Sequence, residues 1–259
     1  MRDIVSIFYP ETSAGGFSRK DGTVQFYQRV QALIPSEARV LDFGAGRGAA
    51  HFLDDSSYRR RLRDLRGVGR RVVGADVDPV VSTNPTVDES VVLDPNAPLP
   101  FADQTFDVIV SDSTFEHIAD AGRTAAELDR VLKVGGWLCA RTPNRNGYVA
   151  LANRMLAGSV GKRLVLAAQP DRKAEDVFPA HYRMNGLRAL KELFPTGRYH
   201  HVIFAVDSEP RYHFNNRLIF VFMLTLHGLT PPGLRNTLLC FFQKRNAEPS
   251  PARIGELAA

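Results

Sequence analysis

The sequence predicts a doubly wound α/β fold, in which helices cover both faces of a mostly parallel sheet. From Arg39 onward, short runs rich in β-branched residues alternate with segments whose apolar residues recur at helical spacing. Such alternation is typical of parallel strands joined by helical crossovers. With 259 residues, of which 44% are hydrophobic and 24% charged, the chain suits one large domain with a buried core and excludes a disordered or fibrous protein.

The same pattern places the elements along the chain. The predicted strands are, in order, RVLDF, RVVGA, ESVVLD, FDVIVS and GWLCART, followed by runs near His200 to Val206 and Thr237 to Gln243. The predicted helices are Gly22 to Ile34, Ala121 to Leu132, Tyr148 to Leu156 and Gly186 to Phe194. A further helical segment, Arg59 to Arg66, is expected to turn its arginines to solvent.

The net charge, the cysteines and the N-terminus indicate the partners and the cellular compartment to expect. The formal net charge of +5 governs solubility and encounter rates rather than chemistry, and no nucleic-acid partner is expected from it. Cys139 and Cys240 each lie in a strand-like apolar run, which favours buried free thiols in a reducing compartment. The N-terminus lacks the long apolar segment of a secretory signal, so a cytoplasmic location is expected. No spacing of Cys and His indicates a metal site.

The most apolar segment is RLIFVFMLTLHGL, Arg217 to Leu229. It is shorter than the roughly 18 residues that a membrane span needs. We predict a helix buried between the last two strands, with Leu218 to Leu226 packed inside the protein. Docking of this segment on a membrane surface is the alternative.

The segment VLDFGAGRGAA, Val40 to Ala50, reads as a strand, a glycine-rich turn and the start of a helix. Gly44 and Gly46 let backbone approach a ligand closely. The glycines alone also fit a dinucleotide-binding turn. Asp42 distinguishes the two ligands, because a carboxylate at the end of the strand can hold the ammonium group of S-adenosylmethionine but would repel a pyrophosphate.

The second strand ends in Asp76, which is placed to accept hydrogen bonds from both hydroxyls of a ribose, with Val77 against the adenine face. Asp76 lies farther from the glycines than the roughly 20 residues of the dinucleotide pattern. This spacing also favours the methyl donor over NAD.

Downstream of Asp94, the runs LPF, FDVIVS, EH, ELDRVLKVGGWL and TPN follow one another. In this order they resemble the type-11 group of class I methyltransferases. The resemblance covers roughly Val40 to Asn144 and weakens toward the end of the chain. Val134 departs from it, because the family usually has Pro at this point of the KVGG turn.

The resemblance implies a Rossmann-like sheet of seven strands, with the last strand inserted antiparallel, and S-adenosylmethionine as the cofactor. The resemblance implies a contact with S-adenosylmethionine at each matching position. The methionine part would be held by Asp42, Gly44, Ala45 and Gly46, and the nucleoside by Asp76 and Val77. Asp94 would contact the adenine amino group, and Ser111 would lie on the sulfonium side. The implied single domain comprises an N-terminal segment (1–36), a donor-binding core (37–144), an acceptor-side insertion (145–185), a C-terminal helix and strands (186–245) and a tail (246–259).

Two histidines are candidates for a base if the reaction is an O-methylation: His181, in FPAHYRMNG, and His117, shortly after the fourth strand. We prefer His181, because class I methyltransferases, which this chain resembles, build much of the acceptor pocket from such loops. The expected acceptor is a small molecule, with a lipid- or glycan-linked one as an alternative. A non-catalytic module that binds the donor and, less favoured, an NAD-dependent oxidoreductase stay open, as does the oligomeric state.

Overall fold

The computed structural model describes residues 4–148, 150–151, 180–210 and 213–246. The strands in these residues are β1 (Arg39–Phe43), β2 (Arg71–Asp76), β3 (Glu89–Val92), β4 (Phe106–Asp112), β5 (Leu132–Pro143), β6 (Tyr199–Val206) and β7 (Thr237–Lys244). The helices are α1 (Ile4–Phe8), α2 (Gly22–Ala32), α3 (Ala49–Leu53), α4 (Ser57–Arg63), α5 (Ala121–Val131), α6 (Leu187–Leu193) and α7 (Arg217–Leu229).

The strands form one mixed sheet in the order β3-β2-β1-β4-β5-β7-β6. Strands β1 to β5 pair in parallel, whereas β7 runs antiparallel to both of its neighbours, β5 and β6. The predicted Rossmann-like sheet with one inserted antiparallel strand is therefore confirmed. The chain order reverses between β1 and β4, which is the point where open α/β sheets bind ligands beyond the carboxyl ends of their strands.

Both faces of the central strands are buried, which explains why these strands read as continuous apolar runs, whereas β3 and β6 alternate with more exposed residues. Neighbouring residues of one strand point to opposite faces: Val40 joins the cluster beneath α2 and α4, and Leu41 joins the cluster beneath α5 and α6. Cys139 and Cys240 are buried free thiols, as predicted, and they belong to opposite clusters. Burial raises the pKa of both thiols.

The predicted boundaries match the structure within a few residues. Strand β1 has the predicted bounds, whereas β4 continues one residue farther, to Asp112, and β5 begins at Leu132 rather than at Gly136. These extensions occur because tertiary pairing with a neighbouring strand lengthens a strand beyond its β-branched run. Most of the predicted helix from Tyr148 to Leu156 and of the insertion 145–185 lies outside the described residues, as does nearly all of the tail.

The prediction for Arg217–Leu229 is right about the helix and wrong about its burial. In α7, Phe220 is buried, but Leu218 is 80% exposed and Phe222 is 67% exposed. The buried side of the helix packs against α1, where the rings of Phe8 and Phe220 lie 4.9 Å apart, in a cluster with Ile4. A helix that is apolar all round gives no sequence signal of which side is covered. No described helix is long and apolar enough to span a membrane.

The end of the sheet formed by β7 and β6 depends on aromatic packing. Phe242 is fully buried, and its ring centroid lies 4.9 Å from that of Phe194 and 5.0 Å from that of His201. We expect Phe242→Ala to lower the free energy of unfolding by about 3–5 kcal/mol, through lost burial and a residual cavity. Urea unfolding measures this change. Phe52→Ala is the control, because that ring is 67% exposed, and its effect should stay within about 0.5 kcal/mol. Equal effects of the two substitutions would contradict this account of the core.

Candidate cofactor-binding site

A cavity of about 870 Å³ lies at the carboxyl ends of the parallel strands. Its wall is formed mainly by residues 43–49, 76–77, 93–97, 112–114 and 116–120, which follow β1, β2, β3 and β4. Because parallel strands end at the same edge of a sheet, segments that are far apart in the chain meet here. The volume is in the range of small-molecule and cofactor sites.

The glycine-rich turn after β1 forms one wall of the cavity. The N–H groups of Gly44 and Ala45 donate to the carbonyl oxygen of Ala75, at 2.8 and 3.3 Å, which ties the turn to the end of β2. Gly44 has φ +81°, a left-handed conformation that favours glycine. A side chain at Gly44 would also collide with Thr114, beyond β4. The turn therefore requires glycine for both conformation and space.

Asp76 and Asp94 both line the cavity. The carboxylate of Asp76 accepts hydrogen bonds from the backbone N–H of Gly46 at 2.8 Å and of Asp78 at 2.9 Å. These two contacts hold the carboxylate beside the glycine turn and leave further lone pairs for a ligand. Val77, whose side chain is exposed, lies on the wall next to it. The carboxylate of Asp94 accepts from the N–H of Asn96 at 2.8 Å.

Asp42 and Ser111 are not among the residues that line this cavity. Ser111 is 1% exposed and its hydroxyl has no hydrogen-bond partner among the described residues, so its predicted position on the wall needs correction. Asp112, the last residue of β4, lies on the wall instead. Asp42 lies in β1 directly before the turn. Burial, followed by the charges of Asp112 and Asp76, raises its pKa from 3.8 to about 7.

A network of charged side chains converges on Asp112. Arg141 donates two hydrogen bonds to its carboxylate at 2.7 Å, Arg63 donates one at 3.2 Å, and the Tyr27 hydroxyl donates another at 3.0 Å. Burial opposes ionisation of Asp112, but the charges of Arg141 and Arg63 nevertheless hold its pKa below the usual value. The network fixes the end of β4 next to the cavity.

This network corrects the prediction of a solvated arginine surface over residues 59–66 at two positions, whereas Arg61 and Arg66 are exposed as predicted. Arg63 and Arg59 are only about a quarter exposed, and Arg59 pairs with Asp54 and Asp21. Sequence reasoning missed these partners because Arg63 and Asp112 stand 49 positions apart. Only the fold brings the side chains of α4 and β4 together.

Both candidate histidines, His117 and His181, line the cavity. The backbone N–H of His181 donates to the carbonyl oxygen of Glu116 at 2.7 Å, so the loop before α6 is attached to the turn after β4. His117 Nε2 lies 3.9 Å from a carboxylate oxygen of Glu116. Glu116 is buried and accepts from the Thr142 hydroxyl at 3.0 Å, and burial raises its pKa. Sequence reasoning gave Glu116 no part in the site, although the EH pair already placed it beside His117.

Comparison with known proteins shows which class of protein this chain resembles. Residues 41–140 match the model of a methyltransferase domain family. A probable S-adenosylmethionine-dependent methyltransferase of Mycolicibacterium smegmatis is 34% identical over 112 residues, which are 41% of this chain and 38% of that protein. A demethylmenaquinone methyltransferase of Thermobifida fusca is 37% identical over 102 residues, which are 38% of this chain and 41% of that protein.

Among solved structures, an S-adenosylmethionine-dependent methyltransferase of Thermotoga maritima, described as a possible histamine N-methyltransferase, has the same fold. The TM-score is 0.54 at 15% identity, covering 93% of this chain and 96% of that one. The matched segment spans about two-fifths of the length of the curated relatives. Residues 41–140 match a methyltransferase domain, and the predicted resemblance to class I, S-adenosylmethionine-dependent methyltransferases is confirmed by the comparisons.

The raised pKa of Asp42 predicts a specific dependence of stability on pH. Between pH 4 and 7 the folded protein binds more protons at Asp42 than the unfolded chain does. The stabilising contribution is therefore present at low pH and is lost as the pH rises to about 7, by up to about 1.4 kcal/mol per pH unit. Asp42→Asn should remove this slope in urea unfolding at a series of pH values. Asp103→Asn, at a side chain that is 75% exposed, should keep it. An unchanged slope in Asp42→Asn would refute the assignment.

Proposed function

We propose that the whole chain is an S-adenosylmethionine-dependent methyltransferase and that the cavity beyond β1 to β4 holds the donor. The observation that carries this proposal is the placement of Asp76 and Asp94 on one wall, beside the glycine-rich turn. The division of the single domain into a donor-binding core and an acceptor-side insertion is part of the proposal.

The wall residues fit the nucleoside part of the donor. The carboxylate of Asp76 is fixed by two backbone N–H groups and can still accept from the two hydroxyls of a ribose. The exposed side chain of Val77 offers an apolar surface to one face of an adenine, and Asp94 can accept from its amino group. We assign Asp42, Gly44, Ala45 and Gly46 to the methionine part.

The charge of the wall favours a cationic ligand. Six carboxylates line the cavity, at Asp76, Asp94, Asp112, Glu116, Asp120 and Glu127, against the arginines Arg47 and Arg123. Of the six, Asp112 and Glu127 are paired with arginines from outside the wall. The excess of negative charge suits the sulfonium and ammonium groups of the methyl donor and disfavours the pyrophosphate of NAD.

Methyl transfer needs little from the protein beyond alignment of the donor and the acceptor. When bound, S-adenosylmethionine supplies a methyl group on a positively charged sulfur, and the carbon–sulfur bond breaks as the acceptor attacks. The residues of the chain contribute by holding the acceptor in line with that bond, which can account for much of the acceleration. A hydroxyl acceptor must also lose a proton, so a base on the cavity wall is useful.

We propose His181 as that base and a small molecule as the acceptor. The side chain of His181 is exposed at the cavity, while its backbone is held by Glu116, so the ring can meet an incoming hydroxyl. His117 is partly buried next to the Glu116 carboxylate, an arrangement that suits packing better than proton transfer. Among the acceptor classes, a lipid-linked one gains support from the exposed apolar side of α7.

Donor binding is tested by calorimetric titration. We expect the protein to bind S-adenosylmethionine and its demethylated product, and not NAD. Asp76→Ala should weaken donor binding by about 10- to 150-fold, because a hydrogen bond to a charged group contributes about 1.5–3 kcal/mol.

Asp103→Ala is the matched control for this titration, because Asp103 is an exposed aspartate that does not line the cavity and should leave donor affinity unchanged. Tight binding of NAD without a response to either methyl-donor ligand would overturn the proposed function. Donor binding without methylation of any acceptor, in a screen with a methyl-labelled donor, would instead leave a non-catalytic binding module.

The role of His181 is tested with an acceptor found in that screen. Removing a general base typically lowers the rate by about 10² to 10⁴. We expect a loss of this size in the turnover of His181→Ala with unchanged donor affinity, and a smaller loss in His117→Ala. Full turnover of His181→Ala at every pH, combined with loss in His117→Ala, would assign the role to His117.

A further inference from the structure

Helix α7 presents a ridge of large apolar side chains to solvent. Leu218, Phe222 and Leu229 are 80%, 67% and 77% exposed and recur at helical spacing along one side of the helix. Val221 of the same helix is 42% exposed. Phe214 and Leu234, which precede and follow the helix in the sequence, are 56% and 47% exposed. Contiguous exposed apolar surface of this kind marks an interaction site in folded proteins.

The ridge belongs to a helix that is fixed to the rest of the protein. On the opposite side of α7, Phe220 stacks on Phe8 of α1 and contacts the edge of the Tyr9 ring. Near the end of the helix, the buried His227 shares a hydrogen bond of 2.7 Å with the Tyr148 hydroxyl, which follows β5. The exposed side chains are therefore held in a defined array.

The charges around the ridge are positive. Residues 213–236 contain Arg217 and Arg235 and no Asp or Glu, and α1 carries no charged residue. The acids near the segment lie outside it: Asp207 accepts hydrogen bonds from Asn236 at 2.9 and 2.7 Å and interacts electrostatically with the buried His227. On the Tyr9 side of α1, Glu209 acts on Tyr9, and Glu11 is paired with Arg19 at 3.0 Å.

Arg217 is exposed at the start of α7 and lies over the Phe8 ring, whereas the guanidinium of Arg235 contacts the Ala205 carbonyl oxygen of β6. Exposed apolar side chains with a basic residue beside them are typical of helices that lie in the interface of an anionic membrane.

We propose that this ridge docks on the surface of an anionic phospholipid membrane. A second copy of the chain fits less well, because a symmetric contact would set the arginines of one ridge beside those of the other without any acid in the segment to offset them. The 13 residues of α7 are too few to cross the bilayer, so the helix would lie in the interface. The apolar side chains enter the acyl boundary, and the arginines remain at the level of the headgroups.

The position of the ridge has a consequence for the acceptor. The hydrogen bond between Tyr148 and His227 ties α7 to the segment that follows β5, at the edge of the sheet where the cavity lies. A membrane-borne acceptor would then arrive at the edge of the sheet that carries the donor site. This consequence rests on the proposed function, whereas membrane docking does not.

Vesicle flotation tests the docking surface directly. We expect the protein to float with vesicles that contain phosphatidylglycerol, to bind weakly to vesicles of phosphatidylcholine alone, and to lose binding as salt is raised. The double substitution Leu218→Ser with Phe222→Ser should reduce binding by at least about tenfold, because two large apolar side chains no longer enter the membrane. Phe52→Ser, at a ring with the same 67% exposure outside the ridge, should bind as the unmodified protein does.

A charge substitution provides a second, independent variant. Arg217→Glu should weaken binding to the anionic vesicles, whereas Arg188→Glu, at a highly exposed arginine of α6, should have little effect. Thermal melting of each variant checks that the fold is retained, and titration with S-adenosylmethionine checks the donor site separately. Donor binding without flotation would overturn the docking surface alone, and flotation without donor binding would overturn the proposed function alone.

Two results would overturn the docking surface. The first is absence of binding to anionic vesicles at low salt, or binding that the ridge substitutions leave unchanged. The second is a dimer in solution that Leu218→Ser with Phe222→Ser converts to a monomer, because a second copy would then cover the ridge.

Discussion

The structure of the site depends on a few hydrogen bonds that hold the turn after β1 in place. Gly44 and Ala45 donate to the carbonyl oxygen of Ala75, and Gly46 donates to the carboxylate of Asp76. The turn and the end of β2 therefore hold each other in place. Thr114 fills the space where a side chain at residue 44 would lie, so the turn after β4 packs against the glycine turn. Three chain segments are thus aligned by contacts that need no ligand.

A second constraint is the buried charge at the end of β4. Asp112 is stabilised as a carboxylate by Arg141 and Arg63, whereas Asp42, close to it and without such a pair, has a raised pKa. Two carboxylates near one another cannot both ionise at low cost in a partly desolvated site. The two arginine pairs favour the charged form of Asp112, whereas the charge of Asp112 adds to the raised pKa of Asp42.

Helix α7 is apolar on both its buried side and its exposed side. Its inner side joins α1 in a small satellite cluster, separate from the two clusters that cover the sheet. Its outer side has no partner of comparable size among the described residues. A core helix and a surface helix of this composition look alike in sequence, because burial is decided by what packs against the helix and not by the helix itself.

The sequence by itself determined the fold class and the strands within a few residues, because strand period and turn chemistry are local properties. It did not determine the partners of Arg63, the burial of Ser111 or the place of Glu116 between His117 and His181. Each of these follows from contacts between residues far apart in the chain. Only the tertiary structure decided them. The pairing of the strand ends and the docking of α4 and α7 determine which side chains are exposed to solvent, which line the cavity and which are buried in the core.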